Sequence, residues 1–161
     1  MMTIFPVEDL QLKIGPLRQD QIDQAFAGLD LARLPISLTA WRRYATDRIN
    51  AGPSKAGVLS LQCARAYLHG LLGYEIVLVG SERHMTVDLF RTVNYLSEET
   101  AGSLIAAAES IAEGQRCVAI HLDLPDFKDA TIIALKPRSL AALCQSGYAV
   151  DSIQLSKTLT C

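Results

Sequence analysis

The sequence predicts an α+β domain, with helices and strands segregated along the chain around one sheet. Three observations predict it. The 161 residues are 50% hydrophobic, with a net charge of −2 and a mean hydropathy of +0.21. That composition excludes a disordered chain, and a chain this long can hide roughly two thirds of its unfolded surface in a core. Strand-like segments follow one another at Val58–Gln62, Tyr67–Val79 and Met85–Tyr95, separated only by Cys63-Ala-Arg and Gly80-Ser-Glu-Arg. Helical spacing brackets this block on both sides. Residues 1–161 are expected to form a single domain, because no repeat, low-complexity tract or linker divides them.

Taken in order, Leu10-Gln-Leu-Lys-Ile alternates apolar and polar residues as a half-buried strand does, and Gly15-Pro16 is expected to break it. Gln19 to Leu31 places Ile22, Phe26 and Leu29 at helical spacing. Beyond Pro35, Ser37 is a candidate N-cap for a second helix with Leu38, Trp41, Tyr44, Ala45 and Ile49 on one face. The turn-rich Asn50–Gly57 leads into the three strands. Strict alternation in the third would put Met85, Val87, Leu89, Arg91 and Val93 on one side, with Thr86, Asp88, Phe90 and Thr92 on the other. Glu98–Glu113 reads as a helix burying Leu104, Ile105, Ala108, Ile111 and Ala112, with Gly114 as its stop. Cys117–Leu122 shows little polar alternation, as suits a strand covered on both faces. A short helix at Leu140–Gln145 and a last strand at Ser152–Leu159 complete the order.

Charge and cysteine usage exclude several functions. Fifteen basic against seventeen acidic residues give no global reason to bind nucleic acid. The longest apolar stretch, Leu71 to Val79, is interrupted by Glu75 and falls short of the ~20 residues that span a bilayer. Cys63, Cys117, Cys144 and Cys161 lie far apart with no nearby histidine pair, so no metal site is expected, and buried thiols suit Cys63 and Cys117. The N-terminus has no basic segment and acids arrive by Glu8, so a reduced, cytoplasmic setting is the expectation.

Three passages carry a family resemblance. Leu143-Cys-Gln-Ser-Gly-Tyr148 followed by Ile153–Leu159 is a short helix, a glycine with an aromatic, and a strand ending in Lys-x-Leu. Gly114–Leu122 is a helix-glycine-strand passage, and Met85–Ala112 a strand-loop-helix passage. In this order they resemble the GNAT N-acetyltransferases over nearly the whole chain. The resemblance implies a GNAT-like mixed, mostly antiparallel central sheet flanked by helices. It also implies acetyl-CoA or another acyl-CoA as cofactor and an amine as acceptor.

The family holds the cofactor pyrophosphate on a Gly-rich loop at a helix start, where unpaired N–H groups and the helix dipole favour an anion. Laid on that loop, Leu96-Ser-Glu-Glu-Thr-Ala101 matches only at Ala101. Glu98 and Glu99 would oppose a polyanion, and Ser97 followed by two acids is an ordinary helix start. A register shifted toward Gly102-Ser103 retains the phosphate reading. The resemblance therefore implies Thr100, Ala101, Gly102 and Ser103 near the phosphates, and Phe90, Arg91 and Thr92 beside the thioester, their backbone pairing with pantetheine.

For chemistry, acyl transfer needs a base for the ammonium and an acid for the thiolate. The family's usual tyrosine acid falls on Leu143, so Asp88 and Tyr148 are the candidate catalytic residues, packing being the other role for Tyr148. Glu75 and His121 are further candidate bases, and His69 lies on another strand. Arg42, Arg43 and Arg48 give the second helix a basic side, either a solvated face or the border of an anionic acceptor. The competing reading is a non-catalytic binding module that kept the fold after losing the phosphate loop, with Ile76–Val79 pairing across a homodimer.

Overall fold

The computed structural model of the chain describes residues 12–29, 31, 36–63, 67–93, 98–122, 149–151 and 154–158. The elements run β1 (Lys13–Pro16), a 3-10 turn (Gln19–Gln21), α1 (Ile22–Gly28), α2 (Leu38–Ala51), β2 (Ala56–Gln62), β3 (Leu68–Val79) and β4 (Glu82–Thr92). Then come α3 (Glu98–Gly114), β5 (Cys117–Leu122), β6 (Ala149–Asp151) and β7 (Gln154–Thr158). One sheet takes the order β1-β2-β3-β4-β5-β7-β6. Every neighbouring pair is antiparallel except β4 and β5, which are parallel, as the crossover through α3 requires. The expected α+β, mixed and mostly antiparallel architecture is therefore present.

Each face of the sheet has its own core. On one, Leu104, Ile105, Ala108 and Ala112 of α3 pack on Leu72, Tyr74, Met85, Val87, Ile120 and Leu122. On the other, Ile22 and Ala25 of α1 and Trp41 and Ala45 of α2 cover Val58, Leu68 and Leu71. Ser37 caps α2 as expected, its hydroxyl accepting from the Ala40 amide at 3.1 Å. Trp41, fully buried, donates its ring N–H to the Ile22 carbonyl at 2.7 Å, which ties α2 to α1 without leaving a buried donor unpaired.

Several sequence expectations shift. Gly15 and Pro16 do not end β1 but pair with Ser60 and Leu59. Proline is tolerated because β1 is an edge strand, where a missing N–H costs no ladder bond. Gly114 is still helical, and the left-handed residue after α3 is Arg116, at φ 61°. The expected helix at Leu140–Gln145 lies outside the described residues, and β6 was not anticipated. Cys117 is buried and Cys63 partly so, both as free thiols.

The largest departure is in β4. Its pairing with β3 passes from Tyr74↔Val87 to Gly73↔Leu89, leaving Asp88 as an extra residue, a β-bulge. Alternation consequently changes phase there. Met85, Val87 and Phe90 belong with the α3 core, whereas Leu89 and Val93 belong with the α1–α2 core. Asp88 faces α2 beside Leu89, not the side of Phe90 and Thr92 that strict alternation assigns it.

Candidate functional site

The bulge lies where β4 loses one of its neighbours. From Arg83 to Val87 it pairs with β5 on one edge, ending at Val87↔Leu122. From Phe90 to Thr92 it continues beside β3, through Leu72↔Phe90, Leu71↔Arg91 and Gly70↔Thr92. Among the described residues nothing pairs with the opposite edge of 88–92. Among those residues the edge presents backbone donors and acceptors without ladder partners, groups that an amide-containing ligand can satisfy.

Asp88 anchors a polar cluster on the α1–α2 face. One carboxylate oxygen accepts from the Tyr44 hydroxyl at 2.6 Å and the other from Arg48 Nη2 at 2.5 Å. Arg48 also stands 3.6 Å from Glu75 Oε2, with its guanidinium carbon 4.3 Å from the Tyr44 ring centre. These groups meet because α2 crosses the sheet over Gly73. A Cβ there would fall 2.0 Å from the Tyr44 oxygen, so only glycine lets that hydroxyl reach the bulge. Trp41 stacks on Tyr44 at 5.7 Å between ring centres and fixes its position. Burial first, then the Asp88 charge, pushes the Tyr44 hydroxyl far above its ordinary range, so it remains a donor at any physiological pH.

The basic side expected of α2 is largely neutralised. Arg42 makes a two-pronged pair with Asp23, at 2.8 Å for each contact, and Arg48 is held by Asp88 and Glu75. Two carboxylates against one guanidinium leave the cluster around Asp88 net acidic.

Two histidines on the same face were not joined by sequence reasoning. His84 Nδ1 and His121 Nε2 are 2.9 Å apart, their rings parallel within 1°. His84 was not singled out at all. Its only sequence signal is its place three residues ahead of Val87 in an alternating strand. His69 is buried on β3, and burial lowers its pKa.

The remaining candidates are scattered. Arg91 turns its side chain toward α1, donating to the Leu29 carbonyl at 3.2 Å. Phe90 packs against the α3 core, and Thr92 sits near Gly70, where a Cβ would be 3.3 Å from its methyl and 2.9 Å from Leu104. Thr100 and Ala101 lie in the first turn of α3, Gly102 and Ser103 in the next, with Gly102 exposed. Tyr148 lies outside the described residues. No group of three metal-ligating side chains occurs among the described residues, and none of their helices is long and apolar enough to cross a membrane.

No protein-family model matches the sequence, and no curated protein matches it significantly. Solved structures do. A protein called a transcriptional regulator from Bacillus halodurans superposes with a TM-score of 0.70 at 15% identity, covering 94% of this chain and 99% of that one. A GNAT family acetyltransferase from Brucella melitensis in complex with acetyl-CoA gives 0.61 at 13% identity, covering 94% and 90%. A GCN5-related glucosamine N-acetyltransferase region of a fungal multi-domain GH3 β-N-acetylglucosaminidase gives 0.65 at 19% identity; this chain covers only 17% of that larger protein, with 89% of its own length matched. These likenesses extend over most of the chain, and the chain has the GNAT fold.

Proposed function

We propose that the protein is an acyltransferase that moves an acetyl or other acyl group from acyl-CoA to a primary amine. The observation that carries this reading is the edge of β4 from Asp88 to Thr92, which no strand among the described residues pairs with. The pantetheine arm contains two amides and can add to that edge as a short strand would, placing the thioester beside the bulge. Backbone groups of Phe90, Arg91 and Thr92 would hold it while their side chains serve the two cores and α1.

The pyrophosphate would lie at the start of α3, where the first four amides, those of Glu98 to Ala101, have no helical acceptor. Gly102 is exposed in the following turn, with Ser103 half-buried beside it. Glu98 and Glu99 work against the phosphates, so weak cofactor affinity is expected. The acceptor would approach from the α2 side. There Asp88, already oriented by Tyr44 and Arg48, can accept a hydrogen bond from its ammonium. Tyr148 is the proposed proton donor to the departing thiolate. A second copy of the chain pairing along the exposed Ile76–Val79 edge is the proposed oligomer contact, consistent with Leu78 at 70% and Val79 at 55% exposure.

Titration with acetyl-CoA, by calorimetry and thermal shift, tests the reading. Ligand at one hundred times its dissociation constant should stabilise the fold by about 2.7 kcal/mol. No heat and no thermal shift at millimolar acetyl-CoA would sink the proposal. Binding without release of free CoA to any amine would favour the non-catalytic binding module instead.

A further inference from the structure

The geometry points to His121 as the general base of this transfer, positioned by His84 and Glu82. It rests on the acyltransfer reading above. His84 and His121 occupy neighbouring parallel strands in registers His84↔Ala119 and Thr86↔His121, on the face away from α3. An imidazole–imidazole hydrogen bond needs one donor and one bare nitrogen, so the pair holds at most one extra proton. Glu82 Oε2 stands 3.5 Å from His84 Nε2, a nitrogen with no other partner among the described residues. A proton on that nitrogen faces the carboxylate. His84 Nδ1 is then bare and accepts from His121 Nε2–H, which leaves the lone pair of His121 Nδ1 available.

His121 is the penultimate residue of β5, one position before the strands part beside Asp88. Burial, with the neighbouring His84, lowers its pKa from the ordinary 6.5, so it is neutral at pH 7. The charged groups on that face of the neighbouring elements are Glu82 and Asp88 on β4, Glu75 on β3 and Arg48 on α2.

In the reaction, His121 Nδ1 takes one proton from the acceptor ammonium. The freed amine lone pair forms a C–N bond to the thioester carbonyl carbon. The C–S bond breaks, and the thiolate leaves with the second nitrogen proton, directly or through a donor. Amide, CoA thiol and one proton released from His121 to solvent balance the equation.

The test uses acetyl-CoA with spermidine, a cationic primary amine, and with water as acceptor, following free CoA against pH. Replacement His121→Gln should lower turnover about 100-fold or more and abolish the acid limb of the profile. His84→Gln, which removes the ring that helps hold the His121 pKa down, should move that limb to higher pH. Nitrogen-15 spectra of the histidine rings in the wild type should show His121 protonated on Nε2 and bare on Nδ1. The reverse tautomer, or wild-type rates in folded H121Q and H121N, would overturn the base assignment while leaving acyl transfer standing. Failure to bind acetyl-CoA would remove acyl transfer itself. Binding with neither acceptor used would overturn the base.

Discussion

From Arg83 to Val87, β4 has a strand on each side; from Asp88 to Thr92, only β3 accompanies it among the described residues. The first half buries Met85 and Val87 completely, while every residue of the second half keeps some exposure. One strand thus supplies scaffold and then a surface, and the change falls on a single extra residue. Backbone groups that would complete a ladder have no partner among the described residues, which is where the proposed cofactor would add, and the helices on either side carry the packing.

Substitutions can break or sharpen that contrast. The largest effect belongs to the paired half. Met85→Ala should cost about 2–5 kcal/mol in chemical denaturation, whereas Phe90→Ala, partly exposed, should cost less and weaken acetyl-CoA binding more. Equal losses at both sites would erase the distinction. At the junction, Gly73→Ala forces a methyl into the Tyr44 oxygen and the Leu89 Cβ, at 2.0 and 3.1 Å. A loss of about 1–3 kcal/mol is expected, with Tyr44 displaced from Asp88.

The pH dependence differs in sign between Tyr44, which meets Asp88, and the buried histidines. Tyr44 holds its proton more tightly folded than unfolded, so its contribution is full below the ordinary 10.0 and is lost as pH rises above it. Tyr44→Phe should flatten that alkaline decline. His121 and His69 are shifted down, so their contribution is present above 6.5 and is lost as pH falls from there toward their folded values. Melting temperature measured across pH in H121Q should therefore fall less on acidification than in wild type. The smallest effect is at Arg42→Ala, whose partner Asp23 is 61% exposed and far from the bulge, and thermal melts should not detect it.

Much of the fold was legible because it is written in local periodicity. The α3 face, the α2 face with its Ser37 cap, and the strand Cys117–Leu122 all follow from spacing. The site was less legible, because its geometry is a matter of register between distant segments. Alternation within β4 cannot reveal a bulge that depends on Gly73 and Tyr74 of the neighbouring strand. Asp88 was found as a candidate, but on the wrong face, and Tyr44 and Trp41 read as core or dimer-interface aromatics of α2. The hydroxyl that reaches Asp88 does so only because a glycine lies beneath it. His84 and His121 are 37 positions apart and become partners only through the parallel pairing of β4 and β5. Arg48 looked like part of a basic face until its two carboxylates, both from strands, appeared beside it.

Hydrogen exchange with and without acetyl-CoA tests the role of the open β4 edge most directly. The expected result is slowed exchange of the amides in 88–92 that do not pair with β3, together with the first turn of α3, and no change in β2. Binding that leaves those β4 amides exchanging as before would contradict it.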